Sequence, residues 1–153
     1  MVHVRDFPGY IREQLLNLDM PEFDRTPWAE GPPLAERRVA LVSTAGLHLR
    51  DDRRFEGYDP GYRVIPDDTP ASELMISHVS TNFDRTGFYQ DVNVMLPLDR
   101  LRELRDAGLF ASIASRHYSF VGAVPPNLME PVARDLAGIL RQDRVDAVVL
   151  CPV

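Results

Sequence analysis

The chain has 153 residues, of which 44% are hydrophobic and 26% are charged, and these proportions are typical of one soluble globular domain. Its formal net charge of −6 disfavours binding to a phosphate backbone, so we expect no nucleic-acid partner. No apolar run approaches the ~20 residues that span a bilayer, and the first residues lack an apolar leader. We therefore expect a cytoplasmic protein with no membrane partner.

Cysteine and lysine content restrict the chemistry that this chain can carry out. The single cysteine, Cys151, excludes an intramolecular disulfide framework and a multi-cysteine zinc site. All 17 basic residues are arginines, so no lysine amine is present to form a Schiff base with a carbonyl compound. A carbonyl cofactor would therefore have to come from a partner.

The N-terminal part differs in texture from the rest of the chain. Apolar residues recur at helical spacing over residues 9–18, which predicts a short amphipathic helix. Residues 27–33 are rich in proline and glycine, which indicates a connecting arm. We divide the chain accordingly into an N-terminal helix and proline-rich arm, residues 1–36, and a single α/β domain, residues 37–153.

From Arg38 onward, short apolar runs alternate with helical patterns. Residues 39–42 are apolar on both faces, as in a central strand of a parallel sheet, and residues 145–150 are a second strong strand candidate. Leucines on one helical face over residues 97–108, and an apolar stripe over residues 127–140, predict two helices. Three weaker candidates bring the number of strands to about five: residues 74–76, 92–96 and 111–114.

Strands and helices joined by short connections indicate an α/β fold. We predict an open, mainly parallel sheet of about five strands with flanking helices, layered as in Rossmann-like and flavodoxin-like proteins. Ligands of such sheets gather beyond the carboxyl ends of the strands. This rule selects the loop of residues 43–46 and the segment after Leu150. A natural domain rarely ends directly after such a strand, so we expect this domain to be truncated at its C-terminus.

Several short segments occur in an order that is known from one protein family. They are ALVSTAGLH (residues 40–48), YRVIP (62–66), His78 followed by FDRTG (83–87), DVNV (91–94), PLDRL (97–101), RHYSFVG (116–122) and VDAVVLCPV (145–153). No single segment is specific. Together, over residues 37–153, they resemble the selenoprotein B subunit family of glycine/sarcosine/betaine reductase and D-proline reductase.

This resemblance implies a chemistry and a missing residue. In the family, the last strand and its Pro-Val, here Pro152-Val153, are followed by selenocysteine or cysteine, so we expect a UGA-encoded selenocysteine directly after Val153. The family cleaves the bond between the α-carbon and nitrogen of glycine, sarcosine, betaine or D-proline. A pyruvoyl group on a partner subunit activates the substrate, and the selenolate attacks the α-carbon. The alternative is a non-catalytic member that binds a small amino-acid-like ligand or a partner chain.

Four residues of this chain are candidates for catalysis. Cys151 either takes part in redox chemistry or is a small buried hydrophobic residue. His48, His78 and His117 lie near predicted strand ends, where a proton donor for the leaving amine is useful, although each alone also suits a structural role. Their spacing, with or without Asp84, is not a recognised set of metal ligands, so we predict no metal.

Small polar residues are candidates for binding the substrate. Ser43, Thr44 and Gly46 offer hydroxyl and backbone N–H groups to a carboxylate, although a plain tight turn uses the same residue types. Ser119, in the segment of residues 116–122, is a further candidate. We expect the 43–46 loop, two of the histidines (His48 and His78) and the end of the last strand to converge.

Charged residues complete the candidates for substrate binding. Arg63 and Arg116 are suited to pair with a substrate carboxylate, although arginines are by default solvated surface residues. Asp84 can hold a histidine in one tautomer, or it can simply terminate a turn.

The expected partners are a small amino-acid-type substrate, a pyruvoyl-bearing subunit and a second copy of the chain. A parallel strand without a following helix leaves part of a sheet uncovered, and such a surface needs a partner. The N-terminal segment carries more apolar side chains than a loose arm needs. We therefore expect a homodimer in which this segment packs across a two-fold axis. The apolar residues concerned are Phe7, Tyr10, Ile11, Leu15, Phe23 and Trp28.

Overall fold

A computed structural model of the chain describes residues 3–20, 22, 24, 29–79 and 85–153. Asp84, Phe23 and Trp28 lie outside the described residues, and the predictions on them stay predictions. No helix in the described ranges is long and apolar enough to cross a membrane. The helices are α1 (Gly9–Leu16), α2 (Thr86–Gln90), α3 (Leu98–Asp106) and α4 (Pro126–Gln142), and the strands are β1 (Arg38–Ser43), β2 (Leu47–Leu49), β3 (Arg63–Pro66), β4 (Leu74–Ile76), β5 (Ser112–Ile113), β6 (Arg116–Ser119) and β7 (Ala147–Cys151).

The main sheet is built around β1. Strand β7 pairs in parallel with β1 along one edge, from Val39 opposite Ala147 to Ser43 opposite Cys151. The other edge of β1 pairs in parallel with β5 at its first two residues and with β6 at its last two. Strand β3 runs antiparallel to β6 on the far side. The predicted open, mainly parallel sheet of about five strands is confirmed.

A second, two-stranded sheet lies beside the first, and the sequence did not predict it. Strand β2 pairs antiparallel with β4, with Leu47 opposite Ile76, so the predicted strand at residues 74–76 exists but belongs to this smaller sheet. The strand predicted at residues 92–96 is wrong, because a 3-10 turn forms there instead. The carboxylate of Asp91 accepts the N–H of Asn93 and thereby favours the turn over a strand.

The two faces of the main sheet are covered by different elements. Successive residues of β1 point to opposite faces of the sheet. Val42 points to the face on which Tyr118 and Phe120 pack against helix α4. Leu41 points to the other face, into the larger core that includes Leu101 of α3. The predicted helices at residues 97–108 and 127–140 are therefore confirmed as the two flanking layers.

Apolar side chains remain exposed in two places. Strand β7 is covered on neither face along most of its length, and Val149 and Leu150 are 41% and 71% exposed. Among the described residues, β7 pairs with β1 alone. Helix α1, which confirms the helix predicted at residues 9–18, has Tyr10 72% and Leu16 70% exposed. The described residues leave both surfaces apolar and uncovered.

Candidate functional site

The loop of residues 43–46 joins the carboxyl ends of three strands of the main sheet. The N–H groups of Thr44, Ala45 and Gly46 donate within the chain, over 3.1, 3.2 and 2.7 Å. Because these N–H groups already have acceptors, the geometry favours the tight-turn interpretation over an open cradle for a carboxylate. The acceptors are, in order, the carbonyl of Cys151, the hydroxyl of Ser43 and the carbonyl of Phe120.

Two of the candidate serines lie beneath this loop. Ser43 and Ser119 are fully buried. The hydroxyl of Ser119 accepts the N–H of Leu47 at 2.8 Å, just as Ser43 accepts the N–H of Ala45. Both hydroxyls therefore hold the backbone of the loop.

Thr44 holds the end of the chain segment that follows β7. The N–H of Val153 donates to Thr44 Oγ1 at 2.8 Å, and this hydroxyl lies 3.3 Å from the carbonyl oxygen of Val153. Gly122 sits against both residues: a Cβ there would lie 3.1 Å from Thr44 Cβ and 3.3 Å from the Val153 oxygen. A side chain at position 122 would therefore displace this contact.

His78 reaches the same place from the other side. It is buried, and the backbone of Val153 lies close enough to its ring to influence its pKa. Burial lowers the pKa of His78 below its ordinary value of 6.5, the charge of Arg85 lowers it further, and the contact with Val153 opposes this shift. Gly46 lets the backbone of His78 come close, because a Cβ at position 46 would lie only 3.1 Å from the backbone nitrogen of His78. The φ of Gly46, +70°, also suits glycine.

His48 is connected to this group through Ser77. Its Nε2 lies 2.7 Å from Ser77 Oγ, and its Nδ1 lies 2.7 Å from the carbonyl oxygen of Leu49. Because a carbonyl oxygen only accepts, Nδ1 carries the proton and Nε2 accepts from Ser77. The N–H of Ser77 in turn donates to the carbonyl of Gly46 at 2.9 Å. His48 thus supports the segment that carries His78.

His117 makes a different set of contacts, on the N-terminal side of Ser119 along β6. It is fully buried, its Nδ1 accepts the N–H of Leu41 at 3.0 Å, and its Nε2 lies 3.5 Å from Asp67 Oδ1. Burial lowers the pKa of His117, although Asp67 opposes the shift. Leu41 lies between the residues of β1 that pair with β5 and those that pair with β6, and the His117 ring accepts its N–H in place of a backbone carbonyl. This role within the sheet favours the structural interpretation of His117.

Arg63 is buried, contrary to its expected default as a solvated residue. Its Nε donates to the carbonyl of Arg53 at 2.7 Å, and its Nη2 donates to Asp59 at 2.8 Å. The guanidinium also lies 4.2 Å from the centre of the Phe55 ring. Burial raises the pKa of Asp59, but the hydrogen bond from Arg63 and that from Gly61 outweigh this effect, so the pKa lies below 3.8. These contacts commit the side chain to the loop between β2 and β3.

Arg116 lies at the opposite end of β6 from the 43–46 loop. It is exposed and binds both carboxylate oxygens of Asp143, which follows helix α4, with its shortest contacts at 2.6 Å. The structure therefore does not bring Arg116 together with Thr44 and His78.

Cys151 is half-buried at the end of β7 and packs against the larger core. Burial raises the pKa of its thiol above 9.0, which disfavours the thiolate that redox chemistry needs. This environment favours the interpretation of Cys151 as a small hydrophobic residue. In the described part of the chain, no group of three or more His, Cys, Asp or Glu side chains is placed to hold a metal ion.

Two contributors to this site did not stand out in the sequence. Gly122 ends one of the segments that carry the family resemblance, and Ser77 directly precedes His78, but neither has a local pattern that indicates its contact. The contact between Thr44 and Val153 joins residues 109 positions apart and so has no local signature.

Fold and site together define an α/β protein with a candidate site at the carboxyl edge of a mainly parallel sheet. There, a threonine, two glycines and a buried histidine surround the backbone that follows β7. Residues 12–153 match the family described as glycine/sarcosine/betaine reductase selenoprotein B. The chain belongs to this family, which confirms the resemblance found in the sequence.

Two curated relatives show how much of a family member this chain represents. It is 33% identical over 120 residues to the D-proline reductase subunit gamma of Acetoanaerobium sticklandii, covering 76% of this chain and 49% of the relative. It is 30% identical over 142 residues to the glycine reductase complex component B subunit gamma of Symbiobacterium thermophilum, covering 86% of this chain and 32% of the relative. The chain thus spans half or less of the length of these relatives. No solved structure matches it.

Proposed function

We propose that this chain is part of the subunit of a selenol- or thiol-dependent reductase. The reaction is the reductive cleavage of the C–N bond in an amino acid or N-methylated amino acid of the glycine, sarcosine, betaine or D-proline type. Family membership supports the class, and both relatives bear the names of reductase subunits. The observation that carries the proposal is the group of Thr44, His78 and Gly122 around the backbone of Val153.

The reactive residue in this proposal is a selenocysteine or cysteine directly after Val153. The backbone of Val153 is held at the carboxyl edge of the sheet, where ligands of such sheets gather. The selenolate or thiolate attacks the α-carbon and forms a C–Se or C–S bond. The C–N bond breaks, and the amine leaves with its electron pair and takes up a proton. One thiol of a dithiol then attacks the selenium or sulfur and breaks the new bond, and the released α-carbon takes up a proton. The second thiol frees the selenolate or thiolate, and the dithiol is left as a disulfide.

The histidines take different roles in this scheme. Because its pKa is lowered, His78 is mainly neutral at pH 7 and is poorly suited to donate a proton to the amine. Its buried ring instead packs beside the backbone of Val153, directly before the reactive residue. His48 holds Ser77 next to it.

A pyruvoyl group on a partner subunit would supply the carbonyl that activates the substrate amine. The absence of lysine from this chain fits an imported carbonyl. The exposed side chains of α1 and β7 support contacts with other chains, and we assign α1 to a homodimer interface. We place the complex in the cytoplasm.

One alternative is supported by the same exposed surfaces. A non-catalytic family member that binds a partner chain or a small amino-acid-like ligand would also expose Tyr10, Leu16 and Leu150. It would not need a reactive residue after Val153.

The codon that follows Val153 separates the two functions. UGA followed by an open reading frame and a selenocysteine insertion element is expected, or else a cysteine codon, UGU or UGC, whereas UAA or UAG contradicts the catalytic proposal. The encoded full-length protein, combined with a pyruvoyl-bearing subunit and a dithiol, should release amine from glycine, sarcosine or betaine, or open the ring of D-proline to an amino acid with a free terminal amine. No reaction with any of the four substrates would favour the binding function.

The 153-residue chain alone provides the control. We expect no turnover of glycine, sarcosine, betaine or D-proline, because it contains neither a selenol nor a reactive carbonyl. Turnover by purified chain would show that the reaction uses Cys151 or another group, and it would overturn the proposed position of the reactive residue.

A further inference from the structure

We infer that Thr44 is a positioning residue that fixes the peptide directly before the reactive residue, and that Gly122 is small because this contact requires space. The inference rests on the proposed function for the identity of the residue after Val153. The contact itself belongs to the described chain and can be tested without any activity.

Thr44 is well placed to fix this peptide because its own backbone is held on both sides. Its N–H donates to the carbonyl of Cys151 at 3.1 Å, and its carbonyl accepts the N–H of Gly122 at 3.0 Å. The side chain therefore projects from a backbone that is tied to β7 and to the segment after β6. Consecutive Cα atoms lie about 3.8 Å apart, so holding Val153 also restricts where the next residue begins.

The side-chain chemistry of threonine matches the task. Its hydroxyl has one donor and two acceptor positions, so it can accept the N–H of Val153 and point its proton towards the carbonyl of the same residue. The branched Cβ restricts rotation about χ1 and so keeps the hydroxyl in place. Valine has the same shape without the hydroxyl, and serine has the hydroxyl without the branch.

Gly122 contributes space. Its φ does not require glycine, yet a Cβ would lie 3.1 Å from Thr44 Cβ and 3.2 Å from Thr44 Oγ1. Such distances are tighter than ordinary van der Waals contact, so we expect an alanine to shift Thr44 or Val153 by a few tenths of an ångström and to weaken the contact between them. Gly122 is itself exposed, so this substitution should affect the contact more than the core.

Amide hydrogen exchange of Val153, measured by NMR in the 153-residue chain, tests the contact. Thr44→Val should speed exchange about fivefold or more, because the N–H loses its acceptor. Gly122→Ala should also speed it, and Thr44→Ser should stay within about twofold of the parent. Thermal unfolding of each variant verifies that the fold is retained. Unchanged exchange in folded Thr44→Val, or equal losses in the serine and valine variants, would overturn the inference.

A reporter thiol tests the positioning. A Cys151→Ser version of the chain is continued after Val153 by one cysteine and a short Gly-Ser tail, and iodoacetamide labels it at pH 7.5. Arg85 donates to the carbonyl of His78 at 2.6 Å, so its positive charge lies beside His78, and we expect it to favour the thiolate of a cysteine held after Val153. Thr44→Val should slow labelling at least about threefold as the thiol leaves this environment, and Thr44→Ser should restore the rate.

The two measurements separate the failure of this inference from that of the proposed function. Faster exchange in Thr44→Val with an unchanged labelling rate would show that the contact positions nothing, and would overturn the inference alone. The added cysteine could instead react at the rate of free cysteine in the parent and in both Thr44 variants, while the exchange of the Val153 amide responds as expected. The surroundings of the cysteine then do not favour its thiolate. That result would count against the proposed function and against a positioning role for Thr44.

Discussion

In two regions of this molecule polar side chains contact the backbone of distant or neighbouring segments, and the regions differ in which segment is held. The site region, Thr44 and His78, contacts the backbone of Val153, which reaches the surface. The framework region contains His117 and Arg63. His117 holds the middle of β1, and Arg63 holds the loop between β2 and β3.

The comparison shows that a shifted pKa does not by itself identify a functional residue. Burial lowers the pKa of both His78 and His117, and it does so for the same physical reason. What separates them is the accessibility of the group that each one holds: the Leu41 amide lies in a fully buried strand segment, whereas Val153 is exposed. Substitutions in the framework should therefore reduce stability, and those in the site region should mainly change the contact and the activity.

Arg63→Met should give the largest loss of stability. Arg63 and Asp59 have side chains only 10% and 13% exposed, so the substitution leaves a buried carboxylate without its main partner. Removing one member of a buried ion pair costs about 3–5 kcal/mol. Denaturant unfolding followed by circular dichroism measures this loss.

Arg53→Met is the matched control, since Arg53 approaches the same Asp59 carboxylate, at 4.0 Å, with a side chain 75% exposed. It should reduce the free energy of unfolding by less than about 1 kcal/mol. If Arg63→Met is as stable as Arg53→Met, then Arg63 is not part of the framework, and its role as a carboxylate-binding residue regains support.

His117→Leu should cost about 2 kcal/mol, because it leaves the buried Leu41 N–H without an acceptor. His117→Asn keeps a side-chain oxygen that can accept this N–H and should recover part of the loss. The difference between the free energies of unfolding of the two variants measures the contribution of the hydrogen bond to the Leu41 N–H. Equal losses in the two variants would show that the ring matters only through its volume.

The pH dependence of stability sharpens the same comparison. Because the pKa values of His117 and His78 lie below 6.5 in the folded chain, the unfolded chain binds protons that the folded chain does not. The free energy of unfolding should therefore fall as the pH is lowered below 6.5. Asp67 and Arg102 face the His117 ring, and Arg85 faces His78. His117→Asn should reduce this slope and leave the part due to His78, whereas an unchanged slope would contradict the assignment.

Much of the sheet was predictable because its central parts carry apolar runs. Residues 39–42 and 145–150 have this pattern and form β1 and most of β7. Strand β6 has the sequence Arg-His-Tyr-Ser, which lacks such a run, and it forms through backbone pairing with β1 and β3. Short strands of this kind depend on tertiary pairing, which local sequence does not encode.

The site was predictable in position but not in detail. The rule that ligands gather at the carboxyl ends of strands selected the 43–46 loop and the segment after Leu150, and the structure joins them through Thr44 and Val153. The role of His117 depends on burial and on partners 50 or more positions away, whereas the role of Arg63 depends on burial and on how the preceding loop folds around its side chain. No periodicity or motif reports such contacts, which is why both residues remained open between two interpretations.

Arg116→Met should have the smallest effect, although Arg116 has the shortest ion pair of the arginines proposed for substrate binding. All three of its side-chain hydrogen bonds go to Asp143 at the surface, where water and salt screen the attraction and ordering the long side chain offsets the gain. We expect no change in the free energy of unfolding beyond the error of a denaturant titration. Arg134→Met, which breaks the exposed pair with Glu130, is the matched control and should behave alike. A loss at Arg116 that approaches the loss at Arg63 would mean that the N-terminal end of β6 is held as firmly as the β2–β3 loop, and the division between framework and surface would have to be drawn elsewhere.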